Sequence, residues 1–337
     1  MTLTAGVSLQ EAQKLKKYLQ ENNLFQKNYR YKKVNDTIWF AVTKEFSYPG
    51  IAFCEQDMPL TTKRPSWREA CKELLTKEEY EQGRFSYDTV GTIAIIEIPD
   101  LLVSKEQELA QKLLELDEKI DTVLKKASGH VGELRQQKMT YLAGVNTKET
   151  IVSENGVRLY VNVEEVYYSI RLGTERNRIM KLVKENERIL CMFSGVAPYP
   201  IVFAKNTPAK EITGVELNLK GHELGLRNIE LNKVSNVELY CGDVNKIVPT
   251  LKGLFDRITM PLPHTGEEFL GLALNKLLAK GTIHYYTFID KDDVAKEQQR
   301  IKELIKENNK ELISITAILC GQHSPKRYRV CFDMLIK

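Results

Sequence analysis

The sequence predicts an α/β protein whose C-terminal half carries a parallel sheet covered by helices on both faces. Three observations predict it. From about residue 175 onward, apolar strand-like runs alternate with helical runs, the pattern that builds parallel sheets. At 337 residues the chain exceeds what one core usually serves, so more than one domain is expected. With 42% apolar and 28% charged residues, each domain can build a core, which excludes a disordered chain, a disulfide miniprotein and a fibre.

The elements follow in order. Residues 8 to 22 predict an amphipathic helix: Ser8 offers an N-cap with Glu11 three residues on, and Leu9, Ala12, Leu15 and Leu19 recur at helical spacing. Alternating runs at 29–34 and 37–42 predict a hairpin turned at Asn35 and Asp36. The proline-bearing stretch 57–66 reads as a linker. A helical segment from Trp67 to Gln82, a β-branched strand at 90–99 and a helix capped by Ser104 come next. Shorter strands at 121–125, 138–143 and 157–163, the last after an Asn155-Gly156 turn, complete a small middle α+β region. Beyond it lie strands in ERILCMF, EITGVEL, NVELYCGD, FDRITMPLP and GTIHYYTFI. Helices are expected from Pro198, from Lys220 to Asn232, and near 266–280. The expected domains are 1–62, 63–168 and 169–337.

Charge and cysteine usage narrow the classes. Lys plus Arg number 49 against 45 Asp plus Glu, so a net charge of +4 does not by itself announce nucleic acid. The six cysteines form no CxxC pair and have no histidines at ligand spacing, so no metal site is expected, and reduced thiols fit a cytoplasmic protein. No signal-peptide core or membrane-length apolar run is present, and no long apolar stripe suggests a protein partner; a monomer away from membranes is expected.

Ligands of parallel sheets bind at the carboxyl ends of the strands. The first strand of the C-terminal region ends in Phe193-Ser194-Gly195-Val196-Ala197-Pro198. Gly195 permits a tight turn, and Pro198 suits the first turn of a helix. One glycine is not a GxGxxG fingerprint, so a pyrophosphate is disfavoured. About twenty residues on, the second strand ends in Glu216, placed to accept the hydroxyls of a ribose, followed by Leu217 and Asn218. The third ends in Gly242-Asp243-Val244, and the fourth in Met260-Pro261-Leu262-Pro263, which stiffens the roof. A turn glycine with two strand-end carboxylates and no phosphate cradle suits a cationic adenosine cofactor, S-adenosyl-L-methionine. Three unrelated strand-end polar residues are the alternative. Many amino-group methyltransferases have Asn-Pro-Pro-Tyr at the fourth strand end; Pro261 lacks that amide, so methylation of an adenine or glutamine amine is disfavoured.

LRQQKMTYLAG with SENG downstream, YYSIRLGTER, MFSGVAPYPI, GVELN, GDV, FDRITMPLP and IHYYTF occur in this order. Together they resemble the archaeal and eukaryotic tRNA (guanine-N1-)-methyltransferases that modify guanosine 37. The resemblance implies a Rossmann-like, class I S-adenosylmethionine-dependent methyltransferase domain behind a middle α+β domain and a small N-terminal α+β domain. It implies Glu175 as the base that removes the N1 proton, a role worth about 10²–10⁴-fold, and Arg135 as the cation that steadies charge near O6. It also implies Tyr168, Arg171 and Arg176 at the cofactor, with Phe193, Gly195, Val196, Pro198, Glu216, Leu217, Asn218, Asp243, Val244, Pro261 and Pro263. From pattern alone, Glu175 and Arg171 read instead as an ion pair at a helix start, and Arg135 as part of a solvated face.

Two departures stand out: Pro261 replaces the family's usual asparagine, and Ile170 a proline. The combination of VAPYP in the first turn and PLP in the fourth strand resembles an archaeal subgroup with bifunctional members that also methylate C7 of 4-demethylwyosine. The implied partner is tRNA, gripped at its anticodon loop and, through residues 1 to about 60, at its outer corner. Arg178 and Lys181, in a basic helix running on to Lys184 and Arg188, and Lys326, Arg327 and Tyr328 in a C-terminal turn are the RNA-contact candidates. An aminocarboxypropyl transferase of the wyosine pathway and a non-catalytic tRNA-binding protein are the competing readings.

Overall fold

The computed structural model describes residues 1–61, 65–127, 129, 132, 134, 136–263 and 265–337. The chain divides into two compact units, Met1–Glu69 and Ala70–Lys337.

In the first unit an unexpected strand, β1 (Thr2–Ser8), precedes helix α1 (Ala12–Glu21). Ser8 therefore closes a strand and does not cap the helix, whose N-cap is Glu11 with no side-chain hydrogen bond. Strands β2 (Lys32–Val34), β3 (Thr37–Ala41) and β4 (Ala52–Gln56) complete an antiparallel sheet in the order β2-β3-β1-β4. Leu15 and Leu19 of α1 are buried in one cluster with Ala5, Val7, Ile38 and Phe40. Asn35 turns the β2–β3 hairpin at a φ of 51°, a conformation that asparagine tolerates better than most residues.

Residues 67–82 form short turns in place of one helix: α2 (Trp67–Ala70), a 3₁₀ turn, and α3 (Lys77–Gln82), opened by a capping box between Thr76 and Glu79. The middle sheet runs β5-β6-β7-β8, from β5 (Tyr87–Val90), β6 (Ile93–Ile96), β7 (Thr122–Lys126) and β8 (Met139–Gly144). Only β6 and β7 are parallel, joined through helix α4 (Glu106–Leu116). Ser104 lies in a 3₁₀ turn before α4 and does not cap it. The Asn155-Gly156 turn joins two paired strands, β9 (Glu149–Glu154) and β10 (Val157–Asn162).

After α5 (Gly173–Met180) come β11 (Arg188–Met192), α6 (Pro198–Asn206), β12 (Glu211–Glu216), α7 (Leu219–Asn232) and β13 (Val237–Cys241). They are followed by α8 (Val244–Thr250), β14 (Phe255–Met260), α9 (Leu270–Lys276), β15 (Leu277–Asp290), α10 (Val294–Glu307), β16 (Leu312–Gln322) and β17 (Arg327–Ile336). These strands form one sheet, β13-β12-β11-β14-β15-β17-β16, parallel from β13 to β15, with β17 antiparallel to both of its neighbours. The third expected helix ends at Lys276, where β15 begins, and the terminal β16–β17 hairpin was not foreseen.

The central strands are buried on both faces, as period-2 alternation requires. Ile189, Cys191 and Ile212 share a core with α6, α7 and the β9–β10 hairpin. Leu190, Met192, Val215 and Ile258 share the other with α8, α9 and α10. Helix α7 also holds the edge of β10. Asn228 accepts from the Tyr160 N–H at 2.6 Å and donates to its carbonyl at 3.1 Å, while Asn232 treats Arg158 likewise at 2.9 and 2.6 Å. Two buried amides thus complete the hydrogen bonding that a strand edge leaves open.

Candidate active site

The chain leaves β11 through a tight turn before α6, with Phe193, Gly195 and Ala197 all at positive φ, 57°, 57° and 63°. Such backbone is costly for residues other than glycine and persists only where the surroundings over-determine it. Here Asn228 donates to the Val196 carbonyl at 3.0 Å, and the Gly195 N–H donates to the Glu216 carboxylate at 2.6 Å. A Cβ at Gly195 would meet only the Tyr167 carbonyl, 3.8 Å away. The second Glu216 oxygen accepts the Asn218 N–H at 2.8 Å, and Asn218 in turn caps α7. Burial pushes the Glu216 carboxyl up from its ordinary value, against the N–H groups of Asn218, Gly195 and Leu217, which hold it down. Asp243 caps α8 by accepting the Asn245 N–H at 2.8 Å.

These turns surround a cavity of about 670 Å³ at the carboxyl ends of β11–β14. Phe193, Gly195, Glu216, Leu217, Asn218, Asp243, Val244 and Pro261 line it. Also lining it, and not anticipated, are Leu134, Tyr167, Leu262, Thr265, Glu268 and Phe269. Phe269 meets Phe193 edge-on at 5.1 Å; its only sequence signal was its position one short turn beyond the Met260-Pro261-Leu262-Pro263 strand end. Val196 is fully buried behind the turn, Pro198 opens α6, and Pro263 is buried; none of the three lines the cavity.

The cavity's chemistry fits an adenosine carrying a sulfonium. A carboxylate accepts about four hydrogen bonds, and the backbone N–H groups of Gly195, Asn218 and Leu217 leave Glu216 acceptor capacity for a ribose diol. The other acids on the wall are Asp243 and Glu268, which suit a cation, and the edge-on Phe193–Phe269 pair supplies an apolar wall. Several short backbone N–H donors in a glycine-rich nest, which a pyrophosphate needs, are not part of this turn.

Glu175 lies outside the residues lining the cavity and is 5% exposed. Arg178 grips it through Nε and Nη2, both at 2.8 Å, and the Tyr286 hydroxyl donates to it at 2.7 Å. Arg178 also donates to Asp333 at 2.5 and 3.1 Å, so this RNA-contact candidate is engaged by two carboxylates. The chain of contacts runs on: His284 Nδ1 lies 2.6 Å from Asp333, and His284 Nε2 2.6 Å from Arg257, which forks onto Glu187. Arginine only donates, so His284 Nε2 is the acceptor and Nδ1 carries the proton. Burial pushes the His284 pKa down, while the His284 and Arg178 contacts hold the Asp333 carboxyl well below the usual carboxylate range against its own burial. His284, Cys331 and Asp333 have ligand atoms close together, but both ring nitrogens are engaged and two guanidinium groups already supply positive charge.

The alternative reading of Glu175 and Arg171 as an ion pair does not hold: Arg171 pairs with Asp88 at 2.7 Å, and Glu175 with Arg178. Arg176 is 2% exposed and forks onto Glu154, with Tyr168 and Tyr199 rings at 5.3 and 5.9 Å, and the Tyr168 hydroxyl also donates to Glu154. Tyr168, Arg171 and Arg176 are thus not among the cavity's lining residues. Arg135 lies outside the described residues. Lys181 is exposed at the end of α5, whereas Arg188 is in β11, so the expected basic helix is shorter than the charge run. Lys326 is exposed in the β16–β17 turn; Arg327 donates to the Phe288 carbonyl at 3.1 Å, and Tyr328 packs against the core. No helix among the described residues is long and apolar enough to cross a membrane.

Residues 150–313 match the TRM5/TYW2 methyltransferase domain, and residues 67–147 the TYW2 N-terminal domain. Among curated relatives, the tRNA (guanine(37)-N(1))-methyltransferase Trm5b of Pyrococcus abyssi is 33% identical, covering 100% of this chain and 99% of the relative. The tRNA (guanine(37)-N(1))/4-demethylwyosine(37)-methyltransferase Taw22 of Nanoarchaeum equitans is 34% identical over 65% of this chain and 88% of its own. Among solved structures, Trm5b from Pyrococcus abyssi superposes with a TM-score of 0.74 at 31% identity, covering 100% of both chains. A complex of aTrm5 with tRNALeu gives 0.69 at 29% identity over 99% of this chain and 100% of that one.

Proposed function

The chain belongs to the TRM5/TYW2 methyltransferase family, and from that premise we propose that it transfers the methyl group of S-adenosylmethionine to N1 of guanosine 37 in tRNA. The observation that carries this reading is the cavity at the carboxyl ends of β11–β14, with Glu216 and Asp243 on its wall, in a chain matched along its whole length by a guanine-37 N1 methyltransferase.

Glu216 would hold the ribose, Asp243 the adenine amino group, and Phe193 with Phe269 the apolar wall. The bound cofactor supplies an electrophilic methyl group. The remaining work is the protein's: the N1 edge of guanine is unreachable in a base stack, so the nucleotide must be flipped toward Tyr167 and Pro261. Guanine N1 is a poor nucleophile until deprotonated, and Glu175 is the base proposed for that proton. One of its oxygens must first leave the Arg178 fork; Asp333, already holding the same guanidinium, keeps that charge paired as it does. Arg135 is proposed to balance charge at O6.

The RNA contacts proposed are Lys181 and Lys326 near the anticodon loop and the first unit at the outer corner. A second activity at C7 of 4-demethylwyosine is favoured by Pro261, which replaces an asparagine amide in the roof, and by the likeness to Taw22. The test is methyl transfer from labelled cofactor to transcripts with guanosine or adenosine at position 37, and to tRNA bearing the wyosine precursor. Guanosine-dependent transfer supports the first activity, label in the precursor the second; equal labelling of both transcripts contradicts the reading.

A further inference from the structure

A second cavity, of about 600 Å³, lies on the other side of Val166 and Tyr167, which line both. Its size is within the range of about 300–1,000 Å³ typical of small-molecule pockets, yet it contains neither Glu216 nor Asp243, so it is not part of the cofactor site. One wall is a ladder: the exposed His323 ring stacks on buried Phe288 at 4.1 Å and 30°, and the Arg329 guanidinium sits over the same Phe288 ring at 5.1 Å. Arg329 also donates to the Tyr167 hydroxyl at 3.4 Å, joining the ladder to the shared wall.

Charge at the mouth is arranged for a phosphodiester. Among the described lining residues, Asp88 is paired with Arg171 at 2.7 Å and Glu97 with Lys126 at 2.6 Å, and Arg329 has no ion-pair partner among them. Beside the ladder, Gly321 stands at a φ of 140° with nothing within 4 Å of where a Cβ would be, so the backbone there is open to a flat ring. Aromatic rings and arginine planes are what unpaired bases stack on, and cations track the backbone that joins them.

We propose that this cavity receives a second unpaired nucleotide of the substrate loop, the immediate neighbour of the target, its base stacked on His323 and its phosphate met by Arg329. This rests on the tRNA reading above. When the target is flipped, its neighbour loses a stacking partner, and the ladder replaces it. Holding that neighbour fixes the register in which the target reaches Tyr167.

The test is a cycle between protein and RNA. His323→Ala and Arg329→Ala are each expected to raise the KM for tRNA about five- to fiftyfold, with kcat at saturating RNA and the cofactor Kd unchanged. His323→Trp, which keeps a stacking face, should restore the KM. On a transcript abasic at position 36 or 38, whichever base occupies the cavity, the wild type should show the raised KM already and His323→Ala no further rise. A loss in kcat at unchanged KM, or a His323→Ala effect that persists on both abasic transcripts, would overturn the proposal. Wild-type transfer to the intact transcript, measured first, tests the underlying reading separately, and its absence would sink both.

Discussion

At the scale of single residues, the site divides between side chains that a strand end positions and side chains that distant partners position. Glu216 and Asp243 were legible because a carboxylate closing a parallel strand faces the same cleft whatever surrounds it. The clamp on Glu175 was not legible: Arg178 and Asp333 are 155 residues apart, and only the β15–β17 pairing brings Asp333 opposite His284. If Glu175 is the base, Glu175→Gln lowers kcat by about 10²–10⁴-fold and leaves the cofactor Kd untouched; equal losses in both would mean that Glu175 acts through the fold. The same cluster sets a pH dependence. His284 is held neutral, with a folded pKa below the unfolded value of about 6.5. The unfolded chain therefore binds the extra proton as pH falls below that value, and stability drops with it. The thermal midpoint should fall from about pH 6.5 downward, and His284→Gln, which keeps a donor and an acceptor without titrating, should flatten that part of the curve. An unchanged curve would show that another group governs it.

At the scale of elements, the helix α7 does more than cover the sheet. Through Asn228 it fixes both the β10 edge and the Val196 carbonyl of the cofactor turn, so one side chain links the hairpin to the bend that shapes the cavity. Asn228→Ala would leave a buried N–H and two carbonyls without partners, and is expected to cost about 1–3 kcal/mol in urea unfolding; a loss below the scatter of surface substitutions would refute the linkage. The alternation of strands and helices predicted the parallel sheet because each central strand is apolar on both faces. It did not predict β1, nor β9 and the β16–β17 hairpin. In those strands polar and apolar residues are mixed: Ser314, Thr316 and Gly321 interrupt β16, an edge strand that needs only one buried face. Phe269 and Thr265 were missed for a related reason: they belong to a short 3₁₀ segment and its lead-in, which leaves no periodic mark.

At the scale of the whole molecule, a net charge of +4 conceals extensive internal pairing. Arg176, Arg178 and Arg257 are all spent on carboxylates, so the cations left to meet RNA are fewer than the composition suggests. Those that remain, such as Lys181 and Lys326, are exposed, and for RNA binding local charge counts for more than the total. The proposed chemistry moves a methyl group, and no larger fragment of the cofactor, onto guanosine 37. The most direct measurement is mass spectrometry of both products after one reaction with guanosine-37 tRNA. The expected products are 1-methylguanosine at position 37 and S-adenosylhomocysteine in equal amount. Methylthioadenosine as the by-product, or a modified nucleoside carrying more than a methyl group, would contradict it.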